Sequence, residues 1–302
     1  MAPRVPSSWD SAVRSFTRTL RASGNYSPRT VRFYKEHSEL VGKRLSAIYG
    51  EILPHQIKKE HITELLKSMR ADGLAVSTQK NYIVSLKRLC EHYNNFVFSK
   101  INIVWPQDTR PNVDWLTPDQ AKAVIESDLT PLERMIITLE LCMGLRRIEV
   151  IRLKTSDVKN GYIDVTGKGR AGGKLRSVPF HPNFYKALDL WLSERESIIS
   201  TIKDPLFISE SLLGYKKGRY FLPFSDVKAT GIDKHIKAVS KKVGFPIANH
   251  TLRRTFGRTM WLSGVSVVTI AKLLGHKSTE QTLLYIGANL DDMAQAMAVF
   301  KF

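Results

Sequence analysis

The sequence predicts a mainly α-helical protein with one small antiparallel β-hairpin, built as an N-terminal helical bundle followed by an α+β domain. Three observations carry that expectation. Apolar residues recur at three- and four-residue spacing behind recognisable N-caps through most of the chain. Strand-like alternation is found in two short stretches, 161–166 and 175–180, joined by the glycine- and lysine-rich loop GKGRAGGK. At 302 residues, 43% hydrophobic and 25% charged, the chain is long enough for two cores and ordinary in globular composition.

In the first half four amphipathic helices follow one another. Ser7 or Ser8 caps the first, which aligns Trp9, Val13, Phe16 and Leu20 and stops at Gly24. Ser27-Pro28 pairs an N-cap with a proline at N1, and Val31, Tyr34, Val41, Leu45 and Ile48 continue the stripe to Gly50. The third helix carries Ile62, Leu65, Leu66 and Met69 and ends before Gly73. The fourth runs from a Ser77 or Thr78 cap through Tyr82, Leu86, Leu89 and Tyr93.

The stretch from Trp105 to Trp115 is rich in Pro, Asp and Asn and predicts a linker. The expected boundaries are therefore a helical domain at 1–108, a linker at 109–116 and an α+β domain at 117–302. Thr117-Pro118 and Thr130-Pro131 each open a helix, the second running into ERMIITLELCMG, apolar enough for burial, up to Gly144. Further helices are expected at 182–195, 231–243, 249–263, 266–275 and 290–299.

Charge narrows the partner. Lys+Arg is 46 against 28 Asp+Glu, a net of +18, which favours an anionic partner and nucleic acid over a membrane surface. Residues 1–108 hold 17 Lys+Arg against 9 Asp+Glu and the rest 29 against 19, so if DNA is the partner both halves are expected to touch it, as in a clamp. In the helical half the polar faces present Arg14, Arg18, Arg21, Arg29, Arg32, Lys35, Lys80, Lys87 and Arg88 for phosphate contact. No apolar run reaches the roughly 20 residues of a spanning helix, and MAPRVPSSWD has no apolar core of an export signal. With Cys90 and Cys142 as the two cysteines, reduced core thiols in the cytoplasm are expected, beside the nucleoid if DNA is the partner.

Familiar catalytic signatures are missing from the sequence: GxxxxGK[ST], HExxH, GxSxG, and any cysteine–histidine cluster at metal-ligand spacing. No metal or other cofactor is expected, so phosphoryl chemistry would rest on cationic side chains. Four segments supply them. GLRRIEVIRLK puts Arg146 directly after the glycine that ends a buried helix; the hairpin loop carries Lys168 and Lys174; ANHTLRRTFGR sets His250 and Arg253 three apart on one helical face; LLGHKSTEQTLLYIG presents His276 and, nine residues later, Tyr285. Taken singly, each has an ordinary structural explanation: helix-end solvation, an exposed hairpin lysine, a cap, a core tyrosine.

Together and in this order the set resembles the tyrosine recombinase, or phage integrase, family, whose signature is Arg, Lys, His-x-x-Arg, His and a nucleophilic Tyr. The matching residues are Arg146 in GLRRIEV, Lys168 in VTGKG, His250 and Arg253 in HTLRR, His276 in LLGH and Tyr285 in TLLYIG. The resemblance spans residues 115–290, while the first half is similar to the family's core-binding domain without a sharp motif. It implies the minimal two-domain, Xer-like form with no further arm-binding domain. It also implies attack by Tyr285 on a DNA phosphodiester, a 3′-phosphotyrosine, and a tetramer on paired DNA sites. His250 would accept the phenol proton, Arg146, Arg253 and His276 would hold the phosphate oxygens, and a hairpin lysine would protonate the departing 5′-oxygen. Glu149, one turn past Arg146, is a candidate support behind the site, with a surface carboxylate as the alternative. Lys174 and Arg254 join Arg29, Arg32, Lys80 and Lys87 as candidate DNA contacts. Met293, Met297 and Phe300 in the last stretch suggest a tail docking on a neighbouring protomer or packing on its own domain.

Three departures from the family pattern stand out. Arg254 sits where many members carry His, Arg147-Ile148 replaces a commoner apolar-Ser pair, and the hairpin loop is about two residues longer, with Lys174 and Arg176 on its far side. The longer loop leaves Lys168 and Lys174 both open as the acid, with Lys168 favoured. Two other functions fit parts of the sequence. One is a type IB topoisomerase with nearly the same chemistry. The other is a non-catalytic regulator using VSVVTIAKLLGHKSTEQTLLYI as a helix-turn-helix. An accessory protein is neither implied nor excluded.

Overall fold

Ser8, Ser27, Thr117 and Thr130 each stand in extended backbone and accept a hydrogen bond from an amide three residues on, the geometry that starts an α-helix. In the computed structural model, which describes residues 5–106, 114–167, 174–203, 209–214 and 231–287, those four caps open four helices. The chain divides into two compact units, Met1–Pro111 and Asn112–Phe302. Lys168, the middle of the expected linker, the 290–299 helix and the tail residues Met293, Met297 and Phe300 lie outside the described residues.

The first unit contains α1 (Trp9–Ala22), α2 (Pro28–Tyr49), α3 (Lys59–Ala71) and α4 (Val76–His92). Their stripes meet in two clusters. Val13, Phe16 and Leu20 of α1 pack with Val31 and Leu89; Val41, Leu45, Ile62, Leu65, Met69 and Leu86 form the other. Trp9 donates its indole N–H to the Ser38 carbonyl at 2.8 Å, lying where a side chain at Gly42 would collide with the ring. The expected Ser77 or Thr78 cap on α4 is corrected: the helix begins at Val76 behind Ala75. Gln79 holds that start instead, its buried side-chain amide donating to the Leu74 carbonyl at 2.6 Å.

The second unit is an α+β domain: α5 (Pro118–Glu126), α6 (Pro131–Ile137), α7 (Arg147–Arg152), β1 (Tyr162–Thr166), β2 (Leu175–Pro179), α8 (Pro182–Ile199), α9 (Gly231–Val243), α10 (Asn249–Leu262), α11 (Val267–Leu274) and α12 (Thr279–Ile286). After α6 the chain widens into a π-type turn over Thr138–Cys142, so the long buried helix expected up to Gly144 is an α-segment followed by that turn. Helix α8 continues four residues past the expected 195, and β1 and β2 pair antiparallel from Tyr162↔Pro179 to Thr166↔Leu175. Period-two alternation turns Ile163, Val165 and Val178 into a core shared with Met135, Leu139, Phe184 and Trp191. The hairpin is thereby anchored on one face. Both cysteines are free, and burial pushes both thiols up. Among the described residues no helix is long and apolar enough to cross a membrane, and no group of His, Cys, Asp and Glu could hold a metal ion.

Candidate active site

Helix ends create the site. Gly144, at φ +65°, ends the buried segment after α6, and Gly275, at φ +62°, ends α11. Each leaves carbonyls that no further helical turn can satisfy. Arg253 on α10 reaches both places, donating to the Gly144 carbonyl and to that of Leu274. Arg146 donates to Leu274 at 3.0 Å and Gly275 at 3.2 Å, and Arg176 donates its Nε–H to Leu273 at 2.9 Å. Three guanidiniums therefore converge on the C-terminal, electronegative end of one short helix.

Glu149 lies beneath them at 1% exposure. Its Oε2 accepts from the Arg146 amide at 2.8 Å and its Oε1 from Arg146 Nη1 at 2.8 Å. Arg176 grips it with both terminal nitrogens, at 3.0 and 2.8 Å, and Arg253 stands 3.6 Å away. Burial alone would raise this carboxyl; the hydrogen bonds and charge of Arg176, the Arg146 amide and the charge of Arg253 win, holding it at about 2. The surface-carboxylate alternative for Glu149 is thus set aside. Three cations around one carboxylate leave two positive charges, a fixed cradle for an anion. Arg253, at 1% exposure, is pulled down to about 10 by burial and by Arg146, yet remains charged at neutral pH. Arg146 keeps 24% of its side chain open, so it is the guanidinium of this cluster most available to a bound group.

The histidines complete the cluster. The Thr282 hydroxyl donates to the Ser278 carbonyl, so it accepts from His276, fixing the proton on Nδ1 at 2.9 Å. Nε2 then faces Arg253 Nη2 at 3.3 Å as an acceptor. Burial first, then Arg253, Arg146 and Arg176, hold His276 at about 4 and hence neutral. His250, in the first turn of α10, is likewise lowered by burial and by Arg254, Arg253, Arg147 and Arg146. That turn is tied down by Asn249, which donates to Asp233 at 2.9 Å, and Asp233 accepts bidentately from Arg147 at 2.9 and 2.7 Å. Deeper still, Glu140 has 0% exposure and no hydrogen-bond partner among the described residues, and burial raises it well above the ordinary carboxylate value.

The Tyr285 ring meets His276 edge-on, centroids 5.0 Å apart, with the guanidiniums of Arg253 and Arg254 at 5.8 and 5.6 Å from its centre. Its hydroxyl is buried and makes no aligned hydrogen bond, although Arg253 lies near it. Burial pushes the phenol up; Arg253, Arg254 and Arg146 pull it down without cancelling that rise. Arg258, stacked between Trp115 and Trp261 at 4.9 and 5.0 Å, donates to the Ile286 carbonyl at 3.4 Å and so holds the end of α12.

The structure therefore brings together Arg146, Glu149, His250, Arg253, His276 and Tyr285. Gly167, just before Lys168, borders the same cluster: a Cβ there would be 3.7 Å from Glu149 Oε1 and 3.9 Å from Arg176 Nη1. Lys174 is exposed at the hairpin mouth, its carbonyl accepting from the Gly167 amide at 2.8 Å. In the first unit Arg29 is exposed, Arg32 and Lys87 pair along their helices with Glu36 and Glu91, and Lys80 lies over the Trp105 ring. Arg176 is a site residue that the sequence reading left without a role. The inward alternation that buries Val178 points Arg176 the same way, opposite Val165, and that was the available signal.

The neutral state of His276 has a measurable consequence. An unfolded histidine titrates near 6.5, so as pH falls the unfolded chain takes the proton first. The stability tied to His276 is complete above 6.5 and drains between 6.5 and about 4. Nuclear magnetic resonance of the DNA-free protein should show the His276 ring titrating near 4; titration near 6.5 would contradict its burial among arginines.

Comparison with known proteins gives one consistent picture. Residues 114–291 match the phage integrase family. Tyrosine recombinase XerA of Saccharolobus solfataricus is 28% identical over 290 residues, covering 94% of this chain and 82% of that protein. Tyrosine recombinase XerC of Vibrio vulnificus is 25% identical, covering 96% and 90%. Among solved structures, a post-cleavage complex of the XerH site-specific recombinase with its difH substrate superposes with a TM-score of 0.65, at 17% identity and 99% and 98% coverage. At that identity the superposition speaks for the fold.

Proposed function

The chain belongs to the phage integrase family, and from that premise we propose that it is a site-specific tyrosine recombinase that cuts and rejoins double-stranded DNA. The observation that carries the reading is the cradle itself: Arg146 and Arg253, fixed by helix-end carbonyls and Glu149, beside a buried phenol that makes no aligned hydrogen bond among the described residues. A phosphodiester oxygen suits the two surplus positive charges, and fixed donors need no reorganisation as charge builds on phosphorus. Helix α12 of the helix-turn-helix alternative turns Tyr285 into that cluster, an arrangement a simple DNA-binding regulator does not require.

In the proposed reaction the Tyr285 oxygen bonds to phosphorus while the bond to the 5′-oxygen breaks. The phenol proton passes to His250, which burial and four arginines keep neutral and able to accept it. The departing 5′-oxygen takes a proton from Lys168, on the strength of Gly167 bordering Glu149 and Arg176, with Lys174 the other candidate. The 3′-phosphotyrosine retains the phosphoester bond, so rejoining by the reverse path needs no nucleotide cofactor. A phosphate entering the cradle favours protonation of His276, converting Nε2 from acceptor to donor.

Residues 1–108 are read as a core-binding domain and 117–302 as the catalytic domain, with Arg29, Arg32, Lys80, Lys87 and Lys174 on phosphates. Exchange between two sites uses four nucleophiles, hence a homotetramer on paired DNA, acting on DNA in the cytoplasm beside the nucleoid. The roles open to such an enzyme are integration, excision or dimer resolution.

The test is to trap covalent protein–DNA adducts on fragmented host DNA and map them. Adducts clustered at one short sequence, formed equally with EDTA present, are expected. Scattered adducts would favour the topoisomerase reading, and a metal requirement would overturn the mechanism.

A further inference from the structure

Arg146, Arg147, Arg176 and Arg253 each hold a carboxylate. Arg254 differs: it forms no hydrogen bond or ion pair among the described residues, and its Nε is buried without a partner. Its guanidinium lies over the Tyr285 ring, 5.6 Å from guanidinium carbon to ring centre. Arg253, the preceding residue on α10, holds a comparable distance of 5.8 Å and lies near the phenol oxygen, but its donors also serve Gly144, Leu274 and His276 and it faces Glu149. Of the two guanidiniums over the Tyr285 ring, Arg254 is thus the one without a carboxylate partner among the described residues.

We propose that Arg254 is a catalytic residue that stabilises negative charge on the Tyr285 oxygen, both as that oxygen attacks phosphorus and as it leaves during rejoining. This rests on Tyr285 being the nucleophile. Against a neutral ring a half-exposed guanidinium gains little. Against a ring whose oxygen carries developing charge, the same contact becomes an attraction between opposite charges in a partly dry site. The interaction is thus stronger in the transition state than in the ground state, the condition for acceleration. Because the phenol oxygen is nucleophile in one direction and leaving group in the other, one cation serves both. The proton still goes to His250 on cleavage and returns on rejoining; Arg254 moves none. The charged or titratable groups around Tyr285 are Arg253, Arg254 and Arg258 on α10, Arg146 at the start of α7, and His276 before α12. Burial lifts the Tyr285 phenol while Arg253, Arg254 and Arg146 oppose the lift, so removing one of the three raises it further.

The experiment compares wild type, Arg254→Gln and Arg254→Lys in single-turnover adduct formation on a nicked substrate, from pH 6 to 10, with DNA affinity measured at two salt concentrations. Arg254→Gln should lose about tenfold at neutral pH, and the rising limb of its rate profile should move up by about one unit. Arg254→Lys should recover most of the loss. With ¹³Cζ-labelled tyrosine, the signal missing from Tyr285→Phe should titrate at higher pH in Arg254→Gln than in wild type, which reads the effect even if cleavage is too slow. An unshifted profile and titration would overturn the proposal. So would a loss carried wholly by weaker binding with a salt slope about 0.9 lower, which would make Arg254 a phosphate contact. Absence of any adduct from wild type would instead strike at the recombinase reading itself.

Discussion

A Tyr285→Phe protein is expected to fold as the wild type does, bind the same DNA, and trap no covalent adduct. Stability should hardly change, because the lost hydroxyl makes no aligned hydrogen bond among the described residues. The phenyl ring keeps its edge contact with His276 and its place beneath Arg253 and Arg254. Binding should persist because the cradle of Arg146, Arg253 and Glu149 is held by hydrogen bonds among its members and to the Leu274 carbonyl. The covalent step, in contrast, has no substitute nucleophile, so adduct should drop by at least about 10³, below detection on a denaturing gel. A tyrosine that served only as packing at helical spacing would leave adduct yield unaltered. Full-strength adduct from the variant would therefore remove Tyr285 from the mechanism, while the melting temperature separates that result from misfolding.

Much of this architecture is legible before any coordinates exist, for local reasons. Ser8, Ser27-Pro28, Thr117-Pro118 and Thr130-Pro131 work through bonds three residues long, and a stripe such as Val13, Phe16 and Leu20 needs only helical period. The misread start of α4 shows the limit: Ser77 and Thr78 are good caps, yet Gln79 reaches back to Leu74 and the helix starts two to three residues earlier. The widened turn at Thr138–Cys142 is invisible to periodicity, since one extra residue per turn leaves the apolar run unbroken. The site divides in the same way. Residue types and order single out Arg146, His250, Arg253, His276 and Tyr285. What fixes them does not show, because the carbonyls of Gly144, Leu273, Leu274 and Gly275 carry no side-chain signal. Pairings such as Arg147 with Asp233, 86 residues apart, have no short-range mark either. The departure Arg147 from the family pattern thus acquires a structural partner that sequence order could not supply.

Glu149→Gln should be the most destabilising single change in the cradle. The carboxylate is fully enclosed and takes hydrogen bonds from Arg146 and Arg176 with Arg253 close by. Glutamine preserves the shape but cancels the charge and turns an N–H₂ toward guanidinium donors. Three cations then share a confined space with no counter-charge. Removing one partner of a buried ion pair costs about 3–5 kcal/mol, which for a unit of this size lowers Tm by roughly 6–20 °C. Adduct formation should fall with it, since Arg146 and Arg176 lose the anchor that aims them. The electrostatic account makes a second demand that simple loss of packing does not. Sulfate or phosphate at tens of millimolar, entering the uncompensated cradle, should raise the variant's Tm by more than the wild type's, whereas chloride at equal ionic strength should not. The pH response must change as well. In the wild type Glu149 stays ionised down to about 2 while the unfolded carboxyl titrates near 4.3, so its contribution drains as pH falls through that interval. The variant should lack that part of the acid-side decline. A Glu149→Gln protein with unchanged melting and unchanged anion response would mean that the three arginines are held by the helix-end carbonyls alone.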